Sequence, residues 1–165
     1  MATKKFSAFD SGANATSASR IVGYTNSTTN NNQWTPAELA AGLQEHLPES
    51  FIIACSDETT ALTTGTKATF RMPYAFTVTA VRASLTTAGT TSGVTTVDIN
   101  ESGSSILSIL LTIDQGQLTS TTAATPPVIS DASLANDGQI TIDVDGLSGG
   151  ATEAGLKVTI IGYQS

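Results

Sequence analysis

Few of the residue types that bind charged partners are present in this chain of 165 residues. Charged side chains make up 13% of the sequence, which is about half the usual share. Acidic residues outnumber basic ones by 14 to 7, so the net charge at pH 7 is −7. The basic residues are scattered: Lys4, Lys5, Arg20, Lys67, Arg71, Arg82 and Lys157. Because binding to a phosphate backbone needs a clustered basic surface, we expect no nucleic-acid partner.

Cysteine and long apolar runs are also scarce. The single cysteine, Cys55, excludes an intramolecular disulfide and lies in the apolar run "FIIACS", where it is expected to be a small buried side chain. Runs of 18 or more apolar residues are absent, and the N-terminus lacks the apolar stretch of a signal peptide. We therefore expect no membrane partner and synthesis in the cytoplasm.

The residues that could carry catalysis or bind metal are isolated in the sequence. The only histidine, His46, lies at the end of a predicted helix, and no Ser/His/Asp or Cys/His arrangement forms around it. Asp143 and Asp145 in "DVDG" lack the further ligands of a calcium loop, so a solvated strand face is favoured over calcium binding. Asp98 and Glu101 could form a glycosidase pair, but their spacing around "NESGSS" favours turn residues. We expect no enzyme, cofactor or metal site.

The chain changes character near residue 50, which divides an N-terminal arm (residues 1–50) from a β-domain (residues 51–165). In "QWTPAELAAGLQEHLPES" a helix is predicted over about 35–47, with Thr35 as N-cap, Pro36 at the first helical position and Glu38 closing a capping box. Its apolar stripe consists of Leu39, Leu43 and Leu47. The arm has too little apolar mass for its own core, so a partner must cover this stripe.

After residue 50 short apolar runs alternate with turn residues. Ile140, Ile142 and Val144 alternate with polar residues, as in a strand with one buried face. In the long run 75–86 the apolar parity switches near Thr79 or Ala80, which predicts a β-bulge or a crossing between sheets. We predict a mainly β fold, an antiparallel β-sandwich of the jelly-roll type. The predicted strands are 51–56, 67–72, 75–86, 94–100, 105–113, 126–130, 138–145 and 155–163.

Several phrases of the sequence resemble virion structural proteins of tailed bacteriophages. The segments "FRMPYAFTVTAVRASL", "TTVDINESGSSILS", "STTAATPPVISDASLANDGQITIDVDG" and "GLKVTIIGY" are similar to a β-domain of head-decoration, head-fibre and tail-fibre proteins. The text "KFSAFDSG…SRIVGY…NNNQWTPAELAAGL" is similar to the attachment modules of such proteins. The resemblance implies a homotrimer in the virion, made in the host bacterial cytoplasm. Among these virion proteins, the resemblance favours a capsid decoration (cement) or head-fibre protein. Such a protein would be bound through its arm to other virion proteins such as the major capsid protein.

Two sets of residues follow as site predictions. The predicted virion-docking residues are the apolar ones of the arm: Phe6, Phe9, Ile21, Val22, Tyr24, Trp34, Leu39 and Leu43. The predicted trimer interface consists of apolar strand residues: Val81, Leu85, Leu110, Ile161 and Tyr163. The alternative to docking is that the arm residues cap one end of their own β-domain. The alternative function is a tail-fibre, receptor-binding or carbohydrate-binding module, although the few aromatic residues offer little surface for stacking on sugars.

Overall fold

The computed structural model describes residues 21–24, 31–44, 47–148 and 152–165. The described chain is mainly β, with antiparallel sheets and one short α-helix, which confirms the predicted fold class at this level. It divides into two compact units between Gln44 and Glu45. Each unit is described by itself below.

The first unit contains a two-stranded antiparallel sheet and the helix. Strand β1 (Ile21–Tyr24) pairs with β2 (Asn31–Trp34), and helix α1 (Pro36–Gln44) follows after one residue. The predicted capping box is confirmed. The Glu38 N–H donates to Thr35 Oγ1 at 3.1 Å, and the Thr35 N–H donates back to Glu38 Oε2 at 2.6 Å. The helix is shorter than predicted, and His46 lies outside the described residues.

In the second unit, residues 47–148 and 152–165 form eleven strands and a 3₁₀ turn at Ser120–Thr122. The first four strands are β3 (Glu49–Ala54), β4 (Gly65–Arg71), β5 (Phe76–Ser84) and β6 (Val94–Glu101). Five short strands follow: β7 (Ser104–Ser105), β8 (Leu107–Ile109), β9 (Leu111–Asp114), β10 (Val128–Ile129) and β11 (Ser133–Leu134). The last two are β12 (Gln139–Gly146) and β13 (Lys157–Gln164).

These strands form two main antiparallel sheets. Sheet I has the order β11-β5-β13-β3, and sheet II has the order β4-β12-β6-β7, with β9 also paired to β6. Strands β8 and β10 form a separate small pair. The predicted strand 105–113 is therefore split, because its two halves pair with different neighbours on either side of Leu110.

One buried apolar cluster draws on both main sheets. On β12 the residues Ile140, Ile142 and Val144 are buried, as the alternating sequence predicts. From sheet I the cluster receives Phe76, Val158 and Ile160, which are fully buried. Period-two alternation decides this outcome, because each strand turns every second side chain toward the cluster.

The predicted bulge is confirmed at Thr79. Ile161 of β13 pairs with Ala80, but the next residue, Gly162, pairs with Val78, so Thr79 is an extra residue in β5. A Cβ atom on Gly162 would lie 1.9 Å from the Thr77 carbonyl oxygen, so glycine is needed opposite the bulge. The alternative of a crossing between sheets is wrong, because β5 stays paired with β13 on both sides of the bulge.

Candidate functional site

The predicted docking residues of the arm are only partly within the described structure. Phe6 and Phe9 lie outside the described residues, and for Ile21, Val22 and Tyr24 the structure describes the backbone alone. Strand pairing places Ile21 directly opposite Trp34 and Tyr24 opposite Asn31. This pairing is not predicted from the sequence, because "NNQW" carries no strand-like alternation.

Helix α1 presents unburied leucines. Leu39 is 38% exposed and Leu43 is 52% exposed, and Leu47, shortly after the helix, is 61% exposed. Trp34, which precedes the capping residue Thr35, is half-buried. A short helix with an exposed apolar stripe gains little stability from its own contacts, because helical stability in proteins comes mainly from packing of that stripe. This stripe is therefore the first candidate interaction surface.

The residues of the predicted trimer interface fall into a buried group and a half-buried group. Val81 and Leu85 are 6% and 5% exposed and belong to the core of their own chain. This contradicts their assignment to a surface between subunits. The physical reason is the Thr79 bulge, which turns Val81, Ala83 and Leu85 inward together. Leu110, Ile161 and Tyr163 are half-buried and keep exposed atoms.

A groove lies between the middle of β5 and the β10 strand of the small β8–β10 pair. Its volume is about 430 Å³, and it is lined by Thr79, Ala80, Val81, Pro127, Val128 and Ile129. The only hydroxyl of this lining, on Thr79, already donates to the Ile161 carbonyl at 3.2 Å. Small-molecule sites need a few polar groups that fix the orientation of the ligand. The groove lacks them.

The Cys55 thiol is unsuited to nucleophilic chemistry. The side chain is 6% exposed, and its Sγ donates weakly to the Ile53 carbonyl. Burial raises the pKa of the thiol to about 11, partly offset by a hydrogen bond with the Val158 backbone. At neutral pH the thiol is therefore protonated, and the prediction of a small buried side chain is confirmed.

Asp98 and Glu101, the two carboxylates considered as a glycosidase pair, accept hydrogen bonds from nearby backbone N–H groups and a serine hydroxyl. Asp98 is buried, and its Oδ1 accepts hydrogen bonds from the Ile99 N–H at 2.7 Å and from Ser105 Oγ at 2.6 Å. Glu101 Oε1 accepts from the Ala135 N–H at 2.7 Å. The prediction that they are turn residues is wrong, because both belong to strand β6 and pair with β12. Their carboxylates instead accept hydrogen bonds from β7 and from the segment at Ala135.

Asp143 and Asp145 lie on the outward face of β12, as predicted. Asp143 is directly opposite Asp98 in the register, and its Oδ2 accepts from Asn100 Nδ2 at 2.7 Å. Burial, and then the charges of Asp98 and Asp143, raise the pKa of Asp145. In the part of the chain that the structure describes, no group of three or more potential ligands is arranged to hold a metal ion.

One buried carboxylate, Glu153, is not among the residues predicted from the sequence. The side chain is fully buried, and its Oε1 accepts hydrogen bonds from Thr95 Oγ1 at 3.1 Å, from the Ser148 N–H at 2.8 Å and from Ser148 Oγ. The Glu153 carbonyl accepts from the Leu62 N–H at 2.7 Å. A Cβ atom on Gly89 would lie 2.7 Å from Oε1, so the β5–β6 connection also packs against this group.

The hydrogen bonds around Glu153 favour its ionised form. Burial raises the pKa of this carboxyl, but the hydrogen bonds from Ser148, Thr95 and its own backbone N–H outweigh burial and hold the pKa below its ordinary value. Oε2 is buried and has no hydrogen-bond partner among the described residues. Glu153 thus connects several loops. The signal in the sequence was weak, a single acid within "SGGATEAGL".

Comparisons with known proteins identify no relative. No protein-family model, curated protein or solved structure matches the chain. Among the described residues, no helix has the length and apolar character needed to cross a bilayer.

Proposed function

We propose that this protein is a non-enzymatic structural component of a tailed-bacteriophage virion. In this proposal it is a capsid decoration or head-fibre protein that is attached to the particle through its N-terminal arm. The resemblance of its sequence supports the identity of the particle, and the surface of the arm supports the mode of attachment.

The observation that carries the proposal is the exposed stripe of α1. The helix has its N-terminal hydrogen bonds in place through Thr35 and Glu38. Leu39 and Leu43 nevertheless remain 38% and 52% exposed. Burying a leucine side chain contributes about 1.5–3 kcal/mol, so a partner protein that covers both would gain appreciable binding energy.

The chemistry of the second unit supports a structural role. Its one thiol is buried and protonated at neutral pH, and its inward carboxylate, Glu153, holds loops together. Asp98 and Glu101 are bonded to neighbouring backbone N–H groups. These interactions use the reactive groups to stabilise strand connections.

The finer architecture belongs to the same proposal. We interpret sheets I and II, which share one buried cluster, as the two layers of a β-sandwich of the jelly-roll type. A homotrimer is implied by the resemblance. Of the residues predicted for its interface, Leu110, Ile161 and Tyr163 have partly exposed side chains that a neighbouring subunit could cover.

The proposal is tested by the composition of purified phage particles and by their binding of the isolated protein. Quantitative mass spectrometry should find the chain in the virion, with many copies for a head protein and few for a tail-fibre protein. The double variant Leu39→Gln/Leu43→Gln should lose binding to particles stripped of this protein. The matched control is Ala37→Gln, an exposed position of the same helix away from the leucine stripe.

Two outcomes would contradict the proposal. Absence of the chain from the particle would remove the virion assignment. Normal particle binding by the double leucine variant would show that α1 is not the docking surface. Glutamine is a good helix former, so a loss of binding by the double variant would not follow from loss of the helix itself.

A further inference from the structure

Most open edges of the two sheets are protected against pairing with another chain. At one edge of sheet II, β4 carries Lys67 and Arg71, and its pairing with β12 is interrupted by a register shift. At the other edge, β7 is two residues long, and β9 is joined to a following segment by the Ala124 N–H, which donates to Asp114 Oδ2 at 2.8 Å. Charges, bulges, short length and cover are the means by which proteins block edge pairing.

Sheet I has one protected edge and one unprotected edge. The strand β11 at one edge has two residues. The other edge, β3, has six residues and pairs with β13 without a register shift. Its sequence, "ESFIIA", contains no lysine or proline, and its one charge, Glu49, is at its first position. Among the described residues, β3 therefore lacks the lysine, the register shift, the short length or the covering segment that protects the other edges.

The exposed face of β3 is also apolar at its centre. Ile52 is 70% exposed, which is the largest exposure among the large apolar side chains of the described structure. Its neighbours on the same face, Ser50 and Ala54, are exposed and small. The opposite face carries Phe51 and Ile53, which are half-buried against the core. An added strand would cover apolar surface on both faces.

The alternation of backbone hydrogen bonds shows which groups are open. The Cys55 N–H donates to the Leu156 carbonyl at 2.8 Å, just beyond the ladder in which Ala54 pairs with Lys157. In an antiparallel ladder, residues alternate between bonding to one neighbour strand and facing the other side. The backbone groups of Ser50, Ile52 and Ala54 therefore point toward the open edge.

We propose that two copies of this chain pair antiparallel through their β3 strands, across a two-fold axis at Ile52. In this register Ile52 faces Ile52 of the second copy, and Ser50 faces Ala54. These are the residues whose backbone groups are open, so the pairing forms a regular ladder and joins the two copies of sheet I into one continuous sheet.

A second copy fits this edge because the strand is complementary to itself. Ile52 gains an isoleucine as its cross-strand neighbour, and the small Ser50 and Ala54 leave room beside it. The two Glu49 carboxylates lie at opposite ends of the ladder, so no like charges oppose each other. Arg82 lies on β5, which is separated from β3 by the strand β13, because Thr159 of β13 pairs with both Ile52 and Arg82.

This contact is independent of the proposed virion role and of the trimer that the resemblance implies. A two-fold contact cannot close a ring of three chains. If the two-fold contact joins two trimers into a closed D₃ assembly, the oligomer in solution contains six chains; if it is the only contact, the oligomer contains two. In either case, removal of the β3 contact halves the number of chains in the oligomer.

The first experiment measures this ratio by light scattering coupled to size-exclusion chromatography on the full chain. Ile52→Lys places a charge at the centre of the edge. The oligomer of this variant should contain half as many chains as the wild-type oligomer. The control Ile109→Lys changes another exposed strand isoleucine, at 41% exposure, and should leave the mass unchanged. Equal masses for wild type and Ile52→Lys would overturn the proposal.

The second experiment uses a substitution that does not disrupt the edge. The Cα atoms of two directly hydrogen-bonded antiparallel residues are about 5.5 Å apart, which a disulfide can bridge. Mild oxidation of Ile52→Cys should therefore give a covalent pair of chains on a non-reducing gel, whereas Ile109→Cys and the wild type, with only the buried Cys55, should not. Absence of the pair in Ile52→Cys would overturn the proposal even if the lysine variant failed to fold.

Discussion

Replacement of Gly89 with alanine should destabilise the second unit, although the change adds a single methyl group. The new Cβ atom would lie 1.9 Å from Ser148 Oγ, 2.9 Å from Ser148 Cβ and 2.7 Å from Glu153 Oε1. Ser148 is 3% exposed and Glu153 is fully buried, so neither side chain can move into solvent without opening the loops. One of the two must be displaced.

The magnitude follows from two terms. Forcing a methyl group into a packed site costs about 1–3 kcal/mol. Displacement of Ser148 also weakens its hydrogen bonds to the Glu153 carboxylate, and bonds to a charged group contribute about 1.5–3 kcal/mol. Movement of the loop would relieve part of the steric cost but would weaken the hydrogen bonds further. We therefore expect the free energy of unfolding to fall by about 2–4 kcal/mol in total.

The assay is urea unfolding monitored by circular dichroism, with the midpoint and the slope compared between variants. Gly146→Ala is the matched control, because its Cβ would meet only Thr96 Oγ1 at 3.5 Å and Thr96 Cβ at 3.7 Å, which are ordinary contacts. This control should be neutral or gain about 0.4–1 kcal/mol from the lower entropy of the unfolded chain. If Gly89→Ala unfolds at the wild-type midpoint, or if Gly146→Ala loses as much stability, the packing argument is refuted.

Three further predictions concern the buried groups and the division of the chain. Glu153→Gln should lower the free energy of unfolding by about 1.5–3 kcal/mol at pH 7. Because the pKa of Glu153 is lowered from 4.5 in the folded protein, this difference should be complete above pH 4.5 and shrink as the pH falls below it. A difference that stays constant with pH would show that the carboxyl does not titrate with folding. The thiol of Cys55, with its pKa of about 11, should react with a maleimide at pH 7 only after unfolding, and rapid labelling of the folded protein would show that this side chain is accessible. A chain beginning at Glu45 should keep the cooperative thermal transition, since the residues of the buried cluster all belong to the second unit; a much lower midpoint in calorimetry would show that the arm completes the core.

Features that depend on neighbours in the sequence could be predicted from it. The capping box needs only Thr35 and Glu38 at a spacing of three, and the structure has both of its hydrogen bonds. The bulge at Thr79 could be predicted because the change in apolar parity within one strand reports a change in which residues face inward. The antiparallel β character followed from alternation repeated in several strands.

Features that depend on pairing between distant segments could not be predicted in this way. The run 105–113 appeared as one strand, yet it is split because β8 and β9 have different partners. Apolar residues on both faces of the strand predict a subunit interface for Val81 and Leu85, but the structure buries both side chains in their own chain. Alternation shows that two faces exist, but the location of the other sheet decides which of them is buried.

The amino-acid sequence by itself determined the local geometry of this protein: where the helix begins, where strands alternate and where one of them bulges. The tertiary structure decided what those elements mean for function. It buried Glu153 among loops that are distant in sequence, since Thr95 and Glu153 meet only when the strands pair. It also left β3 at an open edge with Ile52 exposed. The physical reason is that burial and edge position are properties of long-range pairing, whereas propensity and capping act over a few residues.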